Sequence, residues 1–316
     1  MKKNFFCIIL FLVMICLSSC NNGDTDKTTQ NENQATPEIK SIFINGDSIH
    51  YLDMGKGDPV VFIHGVVGDY RTWGAQMDEF AKNHRVIAYS RRFAFPNKQM
   101  INDSVNLTVN SHAKDLSEFL MALNLGKAHL VGHSFGANTA LITAIDHPEL
   151  VHSLTLAEAL FPSLVLNTSG GDTIMNNFIT TTFMPAAEAF KNNNNEKAVN
   201  ALINGVTGDN LYSSRLPQKD RDIMMVNTPE IKGILVRQDI FPPVTCDDIK
   251  KVKAPVLLLK GDKSPVVFSL TINELNRCLS NREIATLANT SHGLEYENPD
   301  GFNKTVLGFI DKHSRD

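Results

Sequence analysis

Three short stretches of the sequence carry side chains whose types and spacing could perform acyl transfer. In Gly132-His133-Ser134-Phe135-Gly136 a serine stands between glycines two positions away on either side. A serine on a tight strand-to-helix turn occupies a sparsely populated backbone region, and flanking glycines leave room for neighbouring chains to approach. Its hydroxyl is then lifted clear of the sheet as a nucleophile. Earlier, His64-Gly65-Val66-Val67-Gly68 closes an apolar run. The main-chain N–H of Val66, with that of Phe135, would form paired donors for charge developing on a carbonyl oxygen. Losing one such fixed donor costs about 3 kcal/mol of transition-state stabilisation. Late in the chain, Ser291-His292-Gly293 places His292 on a loop ahead of Glu297-Asn298-Pro299, where a general base for a serine can stand. His133 reads as a packed residue beside the nucleophile.

Such groups need elements to carry them. Val60 to Ile63, Val86 to Tyr89, Ala128 to Val131, Leu154 to Leu156 and Val256 to Leu259 are near-continuous apolar runs, the pattern of strands buried on both faces. Between them Ala113, Leu116, Leu120 and Leu123, then Ala140, Leu141, Ala144 and Ile145, recur at helical spacing. Strands alternating with crossover helices predict an α/β fold with a mostly parallel sheet. Two leading strands flank a turn at Gly46-Asp47, and Phe302, Val306, Leu307 and Phe309 form a last amphipathic helix. From about 160 to 239 the alternation breaks. That Asn-rich segment carries helical patches near Pro185 to Lys191 and Glu196 to Ile203 and reads as an inserted cap, whose Phe161, Ile174, Phe178, Phe183 and Met184 suggest an apolar pocket or lid. Trp73 and Phe135 are placed near the pocket or in the core beneath it.

With these motifs in view, the chain from about Ile42 to Ile310 resembles the α/β-hydrolase family. The likeness lies in the His64-Gly65 loop, the Gly132-x-Ser134-x-Gly136 elbow and the late Ser291-His292-Gly293. Ser90-Arg91-Arg92-Phe93 stands where the family often has Asp-x-Arg-Gly. The resemblance implies the α/β-hydrolase fold: an eight-stranded, mostly parallel sheet with helices on both faces, a helical cap, and a Ser–acid–His triad. The acid departs from the common pattern, which has an aspartate where this chain has Ser264. Two carboxylates compete. Glu158 ends the apolar Leu154 run 24 residues after Ser134, enough for one helix and a return strand to the same sheet edge. Some haloalkane dehalogenases and zearalenone lactonases look similar in carrying a glutamate there. Asp262 is the alternative, or else a turn residue bonding its own backbone. A serine nucleophile disfavours alkyl-enzyme chemistry and favours acyl transfer to water.

Composition narrows the field further. The 316 residues are 42% apolar and 20% charged with a formal net charge of −4, which fits a globular protein and gives no basic surplus for nucleic acid. Lys2 and Lys3 precede the uncharged run Phe5 to Leu17, too short to span a bilayer as a helix and right for an export signal. Leu17-Ser18-Ser19-Cys20 resembles the lipobox of bacterial lipoproteins, which implies cleavage after residue 19, a lipidated Cys20 held at a membrane, and a polar tether over 20–38 ahead of the domain at 39–316. Cys246 and Cys278 remain and are expected as unpaired thiols, with a disulfide formed in an oxidising compartment as the alternative. No metal or other cofactor is expected. The expected activity is cleavage of a small or medium apolar carboxylic ester or lactone. Thioester, C–C, amide and peracid chemistry, or ligand binding on an inert scaffold, are the other uses of the same framework.

Overall fold

The computed structural model describes residues 38–314 apart from 103 and 238. The expected leader, the lipidated Cys20 and all of the tether before residue 38 lie outside the described residues. The strands are β1 (Lys40–Ile44), β2 (Asp47–Gly55), β3 (Pro59–Ile63), β4 (Arg85–Tyr89), β5 (Ala128–His133), β6 (Val151–Ala157), β7 (Val256–Gly261) and β8 (Arg282–Leu287). They form one sheet in the order β1-β2-β4-β3-β5-β6-β7-β8. β1 and β2 run antiparallel, as do β2 and β4, and every pair from β4 across to β8 is parallel. The chain therefore delivers the ends of β3, β5, β6 and β7 to one edge, where a doubly wound sheet binds its ligands.

The apolar runs become the central strands for a physical reason. Val60, Phe62, Val86, Leu130, Leu154 and Leu258 are wholly buried because helices cover both faces. α1 (Gly74–Phe80) and α14 (Pro299–Lys312) lie on one side; α2 (Val109–Ala122) and α3 (Phe135–Asp146) lie on the other. Trp73 belongs to the first layer, stacked on Phe62 at 4.6 Å and away from the cavity.

Two expectations are corrected here. The hairpin turn is Asn45-Gly46, not Gly46-Asp47: both residues have positive φ, 47° and 86°, and Asp47 pairs with Ile44. Asn-Gly suits a two-residue hairpin because both central positions need that left-handed backbone. Cys246 and Cys278 are disulfide-bonded, with Cα atoms 5.2 Å apart. Cys246 opens α11 (Cys246–Ile249), whose start is fixed by a reciprocal Thr245–Asp248 cap, and Cys278 ends α12 (Val266–Cys278) packed beside it. A spacing of 32 residues carries no hint of that packing.

Between β6 and β7 the chain is largely helical: α4 (Pro162–Leu166), α5 (Gly171–Phe178), α6 (Met184–Lys191), α7 (Asn195–Thr207), α8 (Tyr212–Arg215), α9 (Gln218–Val226) and α10 (Thr228–Ile234). Only the stretches of α6 and α7 are visible as sequence patches. α13 (Leu294–Glu297) follows His292 and leads into α14. Among the described residues no helix is long and apolar enough to cross a membrane, and no cluster of three His, Cys, Asp or Glu side chains could hold a metal ion.

Candidate active site

Ser134 follows β5 directly and precedes α3, at φ 53° and ψ −121°. The glycines around it answer to sterics. A Cβ at Gly136 would lie 2.1 Å from the Ile63 carbonyl oxygen, and one at Gly132 2.5 Å from that of Gly136. Neither could be accommodated, so the elbow closes only with glycine at both places. Gly65 brings the loop after β3 against the same turn, where a Cβ would stand 3.2 Å from that of Ser134. Phe135 opens α3, so its N–H has no acceptor within the helix.

Glu158 repeats the device one strand over. It follows β6 at φ 53°, with its N–H held by the Leu259 carbonyl at 2.9 Å. His292 lies between the two. Its Nε2 is 3.0 Å from Ser134 Oγ and its Nδ1 3.3 Å from Glu158 Oε2. The other oxygen, Oε1, accepts from the Gly261 N–H at 2.7 Å and the Ser264 hydroxyl at 2.8 Å. Asp262 goes elsewhere: its carboxylate accepts from the N–H of Thr290, 28 residues away, at 3.2 Å, and not from its own backbone. The structure thus brings Ser134, His292 and Glu158 together and leaves Asp262 out.

Burial sets the charges. Glu158 is wholly buried, which pushes its carboxyl up to about 7 although Gly261 and Ser264 donate to it. Burial likewise holds His292 well below the usual imidazole range, with His133 adding to the effect. An unprotonated Nε2 at neutral pH is the form in which His292 can take a proton from Ser134. Phe268 stacks on the imidazole with ring centres 4.3 Å apart.

The loop carrying Val66 is held by buried polar groups. His64 contacts the Gly65 carbonyl oxygen through Nδ1 at 2.8 Å, while its Nε2 accepts from the Arg91 N–H at 2.9 Å. The Arg91 guanidinium donates to the carbonyls of His64 and Gly65 at 3.2 and 3.1 Å. It also makes a two-pronged pair with Glu230 of α10 at 2.8 and 2.6 Å and lies 4.6 Å from the centre of the Phe135 ring. The sequence offers no pointer to Glu230, a partner 139 residues away.

Above Ser134 a cavity of about 600 Å³ opens, walled by Leu160, Phe178, Leu202, Ile231, Phe241 and Phe268 among others. Of the side chains expected there, Phe178 and Phe183 line it, Phe161 is buried in the core and Met184 is exposed.

The alpha/beta hydrolase fold model matches residues 58–294. The chain is 25% identical to 2-hydroxy-6-oxo-2,4-heptadienoate hydrolase of Pseudomonas putida, over 86% of this chain and 95% of that one. It is 22% identical to ethanol acetyltransferase 1 of Cyberlindnera jadinii, over 87% and 84%. Among solved structures it is similar to Est816, described as an N-acyl homoserine lactone degrading enzyme, with a TM-score of 0.69, 22% identity, and 86% of this chain covered by the whole of that one. The chain belongs to the α/β-hydrolase family.

Proposed function

We propose that the protein is a serine hydrolase that cleaves a small or medium, apolar carboxylic ester or lactone through an acyl-enzyme. The observation that carries this reading is the continuous contact from Ser134 Oγ through His292 to Glu158 at the floor of an apolar cavity. His292 takes the Ser134 proton as the oxygen attacks the carbonyl, then returns it to the departing alcohol. Glu158 holds the imidazole in the tautomer with its hydrogen on Nδ1 and stabilises the cation formed on the way. The N–H groups of Val66 and Phe135 receive the oxyanion. Water, activated by the same imidazole, then releases the acid.

The test is turnover of p-nitrophenyl esters together with labelling by a fluorophosphonate. Ser134→Ala is expected to abolish labelling and to lower kcat by about 10⁶-fold; a folded parent that takes no label would refute the reading. Chain length gives a second measurement. Phe178 also borders a separate cavity of about 340 Å³ between α5, α7 and the start of α12. Phe178→Ala should join the two spaces and shift the preferred acyl chain upward, read as kcat/KM across a C2 to C12 ester series.

We also propose the lipid anchor at Cys20. The reading is supported by the two lysines, the 13-residue uncharged run and the position of the cysteine behind it. A Cys20→Ala chain is expected to lose palmitate incorporation and membrane partitioning in a bacterial host.

A further inference from the structure

Behind His292 stands a second histidine with a carboxyl that the triad does not use. His133, the last residue of β5, is buried, and its Nε2 lies 2.7 Å from the main-chain oxygen of His292. A carbonyl only accepts, so the hydrogen of the neutral ring is on Nε2 and Nδ1 is bare. That bare nitrogen lies 3.0 Å from Oε1 of Glu295, on α13, which is 1% exposed. No other described residue is hydrogen-bonded to either oxygen of Glu295, and its own main-chain N–H is the one donor acting on the carboxyl. An ionised carboxylate buried with so little to hold it is costly in free energy. A neutral acid turns its own O–H toward the ring.

We propose that Glu295 is kept protonated and shares its proton with His133 Nδ1, and that this pair positions His292 through its main chain. The proposal rests on the triad reading for its effect on turnover, not for the pair itself. Glu295 is the donor that lets His133 spend its single hydrogen on the His292 carbonyl. When the proton leaves to solvent, the pair passes from neutral to one negative charge. The one remaining hydrogen, on His133, then moves to Nδ1 to meet the carboxylate, and the His292 carbonyl loses its donor. The base is no longer held, and a negative charge stands at the wall of the cavity that His133 and Glu295 both line.

The surroundings agree with that protonation state. Burial is the leading cause that pushes Glu295 up to about 8, with Glu297 and Glu158 adding to it, and burial holds His133 down. The groups facing the pair are His64 on the loop after β3, held neutral by its own burial, Glu158 at the end of β6, His292 on its loop, Tyr296 and Glu297 on α13, and Tyr212 from α8. Gln76 of α1 donates only to the Glu295 main-chain oxygen, at 3.2 Å. Farther out, Asp69 and Asp220 face Tyr296. None of these is a cation that would hold a carboxylate ionised.

The test pairs nitrogen NMR of histidine-labelled protein with pH–rate profiles. In the parent, His133 should carry its hydrogen on Nε2 near neutral pH and pass to the Nδ1 form as pH rises through about 8. In Glu295→Gln, whose amide donates but cannot ionise, no such change should occur. The ratio of kcat/KM at about pH 9.5 to that at about pH 7, each enzyme against itself, should fall about tenfold in the parent and stay level in the glutamine variant. A His133 tautomer that does not change up to pH 10, or a Glu295→Gln profile that overlays the parent's, would overturn the proposal. The NMR result stands whether or not esters prove to be substrates, so a failure of the pair and a failure of the hydrolase reading are told apart.

Discussion

Glu158→Ala is expected to lower kcat/KM on p-nitrophenyl esters by about 10⁴-fold, the scale on which loss of the acid is felt in serine triads. The cost arises in two ways. The imidazole loses the carboxylate that fixes its tautomer, at 3.3 Å from Nδ1, and the Gly261 N–H and Ser264 hydroxyl lose their acceptor. Asp262→Ala should change the same quantity by no more than about fivefold, since the Asp262 carboxylate caps the Thr290 amide and such a contact is worth about 1 kcal/mol. The reverse ranking of the two variants would move the acid to Asp262. Fluorophosphonate labelling of folded Glu158→Ala, slow but not absent, would separate loss of the base's orientation from loss of the serine.

Glu230→Ala is expected to destabilise the protein by about 3–5 kcal/mol, measured by urea denaturation. Arg91 and Glu230 are both about 1% exposed, so the variant leaves a guanidinium in the interior with no counter-charge. His112, with Nε2 3.4 Å from Glu230 Oε1, offers no replacement, because a histidine brings no negative charge and burial and Arg91 keep this one neutral. Replacing both partners with Met should recover much of the loss, because two apolar side chains leave no charge stranded. Turnover should not recover with it: Arg91 also fastens the carbonyls of His64 and Gly65 beneath the loop that presents Val66. A double variant that regains stability and full kcat would show that Arg91 serves the fold alone.

How much of this was legible depends on the range of the interaction. The central strands could be read because burial on both faces leaves a local trace, as at Val60 to Ile63. Ser134 could be read because a turn without room for a Cβ demands glycine at fixed offsets, and His292 because it stands on a loop late in the chain, after the serine and the acid. Glu158 could be ranked but not chosen over Asp262 until the β6 end and the β7 turn were placed side by side. The helices between β6 and β7 were mostly invisible because α4, α8 and α10 are each only a turn or two long and are held by packing, not by period. The Cys246–Cys278 bond, the Arg91–Glu230 pair and the His133–Glu295 contact join residues far apart in the chain, and none leaves a local mark.

The hydroxyl of Ser264 lies 2.8 Å from Glu158 Oε1, so the ends of two neighbouring strands meet at one point in space. A carboxylate can reach that point from either strand, and the charge has one location with two addresses in the sequence. An evolutionary exchange between them has an order imposed by electrostatics. Losing Glu158 first empties the location and silences the base. Gaining Asp at 264 first sets two carboxylates about 3 Å apart, a state that survives only by trapping a proton between them. The passage is therefore open in the acidic direction of pH and nearly closed in the alkaline one. A lineage could change its acid while the nucleophile, the base and the shape of the cavity all stay in place.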